Sequence, residues 1–181
     1  DALQQWEYEQ LVWGHALGRY DESVALVQEF RDRAAAFQAA LGDEAGQSVI
    51  VFRAQEDFPV LMSHQWITGR VLEWAGFPGN ALTEEMPPPH SARGISLEQL
   101  HLLDTDWLFA AARTAADARV LEEQYMQDPL FQTLPAVQAG QVALVNGDLW
   151  SGTTGVLAAH AMLDEIEAIV VRGEGVATPA A

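Results

Sequence analysis

The sequence predicts an α/β protein: a three-layer, Rossmann-like lobe with a mostly parallel sheet flanked by helices, preceded by a helical region. Three observations predict it. Residues 3–41 carry helical periodicity throughout, short apolar runs alternate with helical segments from residue 48 onward, and glycine and proline punctuate the intervals. At 181 residues and 49% hydrophobic content, one domain with an ordinary core is expected, with a helical region at 1–42, an α/β lobe at 43–172 and a disordered tail at 173–181.

In the helical region Leu3, Trp6, Trp13, Leu17 and Tyr20 fall on one stripe, and Val27, Phe30, Ala34, Phe37 and Leu41 on another. Gly18 and the capping candidate Asp21 divide them into two helices, and Gly42 ends the second. Ser48 to Phe52 and Pro59 to Met62 read as strands, and Trp66 to Ala75 as a helix with Ile67, Val71 and Trp74 on one side. The stretch from Gly76 to Gly94, holding Pro78, Pro87, Pro88 and Pro89, reads as a loop. Ser96 and Gln99 fit a capping box, which starts a short helix and puts Glu98 in its exposed first turn. Trp107 to Ala111 reads as a buried strand and Ala116 to Gln127 as a helix. Asp128-Pro129 and Leu134-Pro135 each open a helical turn with proline at its first position, and Gly140 stops the second. Gln141 to Val145 is a strand, Asn146 to Asp148 a turn, and residues 155–171 a last helix with Val156, Ala159, Leu163, Ile166 and Val170 inward.

Nine basic residues, all arginine, against 26 acidic ones give a net charge of -17, which repels a phosphate backbone and excludes nucleic acid as a partner. Without cysteine there is no disulfide framework, thiolate nucleophile or zinc-thiolate site. No apolar run is long enough to span a membrane. A chain that begins at Asp1 and enters helical periodicity at once is expected to be a fragment cut downstream of a signal, the other reading being a cytoplasmic chain.

In a parallel α/β sheet ligands bind beyond the carboxyl ends of the strands. That rule selects Arg53, the run Ser63-His64-Gln65-Trp66, Arg113 with Thr114, and Trp150 with residues 151–154. Guanidinium groups pair with carboxylates or catecholates and indoles stack on flat groups, so Arg53, Arg113, Trp66 and Trp150 suit a bulky anionic or aromatic ligand. Each also has a plain structural reading: an arginine after a strand is a solvated end, and Trp66 fits a core. The five histidines show no pairing at i, i+4 and no carboxylate at metal-ligand spacing, so no metal site is expected; of them His64 alone follows a strand end facing the proposed cleft. No Gly-x-Ser-x-Gly elbow, P-loop or Gly-x-Gly-x-x-Gly is present. Residues 152–155 could present backbone N–H groups to an anion, or simply form a turn before a helix.

The segment from Gly94 to Phe109, GISLEQLHLLDTDWLF, resembles a signature of the type III periplasmic-binding-protein fold. It is followed in order by Asp128 to Trp150, DPLFQTLPAVQAGQVALVNGDLW, and by Ser151 to Ile166, SGTTGVLAAHAMLDEI, which are similar to the closing strand and last helix of iron(III)-siderophore ABC transporter substrate-binding proteins. The resemblance covers nearly the whole chain and only the C-terminal lobe of such a protein, with residues 1–42 as the helical linker region packing on the lobe and the N-terminal lobe missing. It implies a non-catalytic solute-binding component, outside the cytoplasmic membrane in a periplasm or as a lipoprotein. Such a protein captures a ferric siderophore in an interlobe cleft and delivers it to permease subunits. It also implies that Glu98 docks on the permease and that Arg53, His64, Trp66, Arg113 and Trp150 are ligand contacts, with no cofactor besides the ferric siderophore itself. Haem or cobalamin would suit the same architecture. From the residues alone two other readings stay open: a small α/β enzyme using Asp104 or Asp106 with a histidine, and an interaction module using Glu98 and the acidic surface.

Overall fold

The computed structural model describes residues 5–55, 58–86 and 92–177. Two helices come first, α1 (Gln5–Ala16) and α2 (Tyr20–Leu41). Strands β1 (Val49–Arg53) and β2 (Val60–Met62) lead to α3 (Ile67–Trp74), the short α4 (Ala81–Glu84), β3 (Ala92–Gly94) and a 3-10 helix at Leu97–Leu103. Then come β4 (Trp107–Ala112), α5 (Ala115–Glu123), α6 (Pro135–Gln138), β5 (Val142–Asn146), α7 (Gly147–Gly152) and α8 (Val156–Arg172).

The sheet has the order β3-β2-β1-β4-β5. β4 runs parallel to both β1 and β5, while β2 is antiparallel to β1 and to β3. Four strands therefore share one direction and β2 is reversed. The cause is the connection from Arg53 to Val60, which is too short for the crossover a parallel neighbour needs.

Side chains alternate across the sheet with period two. Val49, Val51, Trp107, Phe109, Ala111, Ala143 and Val145 face a core shared with α2, α3 and α8. Ile50, Phe52, Leu108, Ala110 and Val142 face a second core built from Tyr125, Phe131, Leu134 and Val137. Both faces of β4 are covered, which is why its sequence is an unbroken apolar run. At the carboxyl end of β4 the chain passes so close that a Cβ on Gly147 would lie 2.5 Å from the carbonyl carbon of Ala112, so α7 begins on glycine.

The second predicted stripe is the inward face of α2: Val27, Phe30, Ala34 and Phe37 are buried and Leu41 packs at its edge. The first stripe is corrected. Leu3 lies outside the described residues, Trp6 is buried, but Trp13 and Leu17 are 67% and 72% exposed and Tyr20 is exposed as well. α1 instead turns Trp6 and Glu7 inward, and Gly14 meets Ser23 so closely that an added Cβ would lie 2.0 Å from its hydroxyl. Hydrophobic periodicity misreads a helix whose contact face includes a carboxylate and a glycine.

Four more expectations are revised. The presumed loop at 76–94 holds α4, capped by the Asn80 side chain accepting from the Thr83 N–H at 3.0 Å, and the edge strand β3. The helix expected to reach Gln127 ends at Glu123 and is followed by a 3-10 turn at Tyr125–Gln127. The turn at Asn146 is an N-cap whose side chain accepts from the N–H groups of Asp148 and Leu149. The tail expected to be disordered from residue 173 instead follows β5, with Leu144 N–H donating to Gly175 at 3.0 Å and Ala177 N–H to Val142 at 2.7 Å. Residues 178–181 lie outside the described residues.

α1 is held by a buried ion pair. Arg31 on α2 donates from Nε and Nη2 to the two oxygens of Glu7 at 2.8 and 2.7 Å, and its guanidinium lies 5.1 Å from the Trp74 ring centroid. Glu7 is fully buried, so removing its charge strands a largely desolvated arginine. Glu7→Gln is expected to lower unfolding stability by about 3 kcal/mol and to raise amide exchange in α1, as read by urea denaturation and hydrogen exchange; unchanged exchange in α1 would show that this pair does not hold the helix.

Candidate functional site

The reversal of β2 sorts the candidate residues. Because Met62 lies opposite Ala92 and Phe52 opposite Leu61, β2 ends near the amino end of β1, and residues 63–66 emerge on the opposite edge of the sheet from Arg53. Arg53 and Arg113, at the carboxyl ends of the parallel neighbours β1 and β4, share a pocket of about 500 Å³ with Gln55, Thr114, Asp117 and Asp148. Trp66 lines a separate groove of about 180 Å³ with Trp6, Gln65, Arg70 and residues 152–154. The residues expected in a single cluster thus lie in two separate depressions.

The groove lies where α1, the start of α3 and the α7–α8 junction meet. Its loop is rigidly tied: Ser63 Oγ donates to the Met86 carbonyl at 3.0 Å and accepts from Gln65 N–H at 3.1 Å, and the Gln65 amide donates to the Glu84 carbonyl at 3.0 Å. Arg70, one helical turn beyond Trp66, donates to Gln65 Oε1 and to Glu73, both at 2.6 Å. A half-buried indole and an oriented guanidinium therefore face the same space. Arg70 was not singled out in the sequence; its position four residues after Trp66, the N-cap of α3, is the signal that marks it.

Two expected contacts are corrected. Trp150 is completely buried, its indole N–H donating to Glu165 and its ring edge-on to Phe109 at 5.4 Å, so it is core and the residues after it reach the groove. His64 is 3% exposed and lies behind the groove wall, packed so tightly that a Cβ on Gly79 would fall 2.7 Å from its ring. Its Nε2 has no hydrogen-bond partner and stands 3.7 Å from Glu84 Oε1. Burial holds the His64 pKa below the ordinary 6.5, opposed by Glu84 and Glu73 and reinforced by Arg70.

Glu98 is exposed in the first turn of its 3-10 helix, beside a shallow hollow lined by Phe58, Ile95 and Leu97. Asp106 is a structural acceptor: its Oδ2 takes the N–H and hydroxyl of Ser48 at 2.7 and 2.9 Å. The Asp104 carbonyl accepts from the Asn80 amide at 3.3 Å. Neither aspartate lines the groove or the strand-end pocket. Among the described residues no three His, Asp or Glu side chains converge as metal ligands, and no helix is long and apolar enough to cross a membrane.

With this geometry in place, residues 4–149 match the family described as "Periplasmic binding protein". The chain belongs to that family. It is 28% identical over 181 residues to the achromobactin-binding periplasmic protein of Dickeya dadantii, covering 97% of this chain and 59% of that one. It is 29% identical over 149 residues to the Fe(3+) dicitrate-binding periplasmic protein FecB of Escherichia coli, covering 81% and 46%. The crystal structure of Staphylococcus aureus SirA shares the fold with a TM-score of 0.79 at 21% identity, over 94% of this chain and 66% of that one. The chain spans about half the length of the curated relatives it matches. The family match and the mostly parallel sheet bear out the family and fold class expected from residues 94–109 and 128–166.

The buried histidine sets a pH dependence for this member of the family. In the unfolded chain His64 takes up its proton as pH falls through about 6.5, while burial delays that in the folded state. The unfolded state then binds more protons, so stability falls as pH drops below that value. His64→Asn is expected to flatten this loss between neutral pH and the depressed folded pKa in thermal melts; an unchanged slope would place the acid sensitivity elsewhere.

Proposed function

We propose that this chain is the C-terminal ligand-binding lobe of the solute-binding component of an ABC importer. It works outside the cytoplasmic membrane and captures a ferric siderophore between this lobe and another. The observation that carries the reading is the groove that Trp66 and Arg70 line together, beside α1. Carboxylate or catecholate groups of a ferric complex are recognised by a guanidinium fork, and its flat portions by an indole. A volume of about 180 Å³ is below the range of complete ligand sites, roughly 300–1,000 Å³. It fits one wall of a cleft whose other wall comes from a second lobe. The relatives named for achromobactin and for ferric dicitrate support the ligand class.

The role is capture and delivery, with no chemical step. The loop at 63–66 and α3 hold Trp66 and Arg70 in place before ligand arrives, which spares the ordering cost of binding. Exposed Glu98 is the residue of this lobe that meets the permease. Arg53 and Arg113 lie outside this groove.

Tryptophan fluorescence tests the reading with ferric dicitrate, other ferric siderophores, haem and cobalamin, using this chain alone and within a polypeptide of the relatives' full length. A ferric siderophore is expected to quench saturably, and Trp66→Ala or Arg70→Ala to weaken it about tenfold, the equivalent of 1.4 kcal/mol. Quenching by haem or cobalamin alone would reassign the ligand, and no response in either form would end the proposal. Glu98→Ala is expected to leave quenching unchanged while lowering uptake in transport assays; unchanged uptake would remove Glu98 from the permease contact.

A further inference from the structure

His64 is a buried titratable group that the groove does not use, and it sits at the joint between the groove loop and α4. Its surroundings fix it on two sides. Its N–H donates to the Thr83 carbonyl at 3.0 Å, and α3 crosses its main chain so closely that a Cβ on Gly69 would lie 2.1 Å from the His64 carbonyl oxygen. The ring fills a slot against Gly79, where an added Cβ would fall 2.7 Å from Cγ. Packed this tightly, it has little room to turn, and its Nε2 is buried without a hydrogen-bond partner.

The charged groups that face the ring come from two helices. From α4, Glu84 Oε1 stands 3.7 Å from Nε2 and accepts instead from the Gly79 N–H at 3.1 Å. From α3, Glu73 favours a positive ring and Arg70 opposes one. The 3.7 Å separation is too long for a hydrogen bond, whereas a charge-assisted one closes to about 2.8 Å. The ring is clamped, so the carboxylate is the half that moves, and the Glu84 side chain is 39% exposed. Glu84 is also coupled to the groove: its carbonyl accepts from the Gln65 amide at 3.0 Å, and Gln65 Oε1 accepts from Arg70 at 2.6 Å. A neutral ring leaves Glu84 on Gly79. An imidazolium without a partner in this slot is costly, and Glu84 is about 1 Å short of bonding distance.

We propose that His64 and Glu84 form an acid-closed latch between α4 and the loop that carries Trp66: protonation of the ring draws Glu84 onto Nε2 and stiffens that wall of the groove. Because burial holds the folded His64 below the ordinary 6.5, the latch is open at neutral pH and closes only in more acid solution. The inference does not depend on what the groove binds.

NMR of the whole chain, followed from neutral pH down to the onset of acid unfolding, tests it. The His64 Cε1–H signal is expected to titrate while the chain is still folded, with the Gly79 amide and the Gln65 side-chain amide shifting at the same midpoint. Backbone hydrogen exchange at Gln65 and Trp66 is expected to slow several-fold across that midpoint. Glu84→Gln is expected to lower the His64 midpoint and remove the Gly79 shift, whereas Glu73→Gln lowers the midpoint and keeps the shift. His64→Gln is expected to remove both amide transitions. Thermal melts at neutral pH establish that each variant folds. A ring that stays neutral until the chain unfolds, a midpoint unmoved by Glu84→Gln, a Gly79 amide that ignores the ring, or exchange at Gln65 and Trp66 unchanged across the midpoint would overturn the latch.

Discussion

Strand β1 is hydrogen-bonded on one side to a strand running its own way and on the other to a strand running against it. The separation of Arg53 from His64 and Trp66 follows from that double pairing. The parallel side puts Arg53 level with Ala111, so that the guanidinium and the start of α5 border one depression. The antiparallel side carries residues 63–66 back to the amino end of the sheet, where they enter α3 and face α1. A longer connection between β1 and β2 could have formed a crossover and brought His64 and Trp66 beside Arg53. With a short one, hairpin geometry wins, and the candidate residues divide between two ends of the sheet.

The helical layer turns one of those ends into a groove. Glu7, Arg31 and Trp74 link α1, α2 and α3 through a bidentate ion pair and a cation–π contact, and Trp6 meets Phe30 edge-on at 5.3 Å. A buried ion pair contributes little net stability over an apolar substitute, but it is intolerant of misalignment because either charge alone is costly. It therefore fixes the position of α1 more than its affinity for the lobe. This position matters because Trp6 forms part of the groove wall.

Much of this was legible in the sequence. The buried strand Trp107 to Ala111, the inward face of α8 and the glutamine of the Ser96 cap were all readable, because apolar runs and caps are local signals. β3 and α4 were not, being three and four residues long and too short to show a period. The tail along β5 was not, because its pairing is with a distant strand and its composition is that of a free terminus. Arg53 and Arg113 stand at the carboxyl ends of β1 and β4 as the strand-end rule expects, and Trp66 follows β2 into the groove. Trp150 was misplaced because the strand-end rule does not say which way a side chain turns, and the space beside Phe109 claims an indole here. The division into two depressions was hidden for the same reason as the direction of β2: strand pairing is set by connection length and packing together, and no residue announces it.

The net charge of -17 opposes the anionic ferric complex proposed as ligand, and distance limits that opposition. Screening at physiological salt has a length of about 8 Å, so most surface carboxylates act weakly on a ligand already in the groove. The cation lining the proposed site is Arg70, and its charge is itself offset by Glu73 at 2.6 Å. On the proposed reading Arg70 contributes directed donors more than net attraction, and the Trp66 indole offers an apolar surface that is indifferent to charge. Binding of this kind would depend on a second wall, because a hydrogen bond exposed to water on one side is largely exchanged for one to solvent. On the proposed reading the lobe contributes orientation, and the enclosure that would make those contacts strong would come from a second lobe.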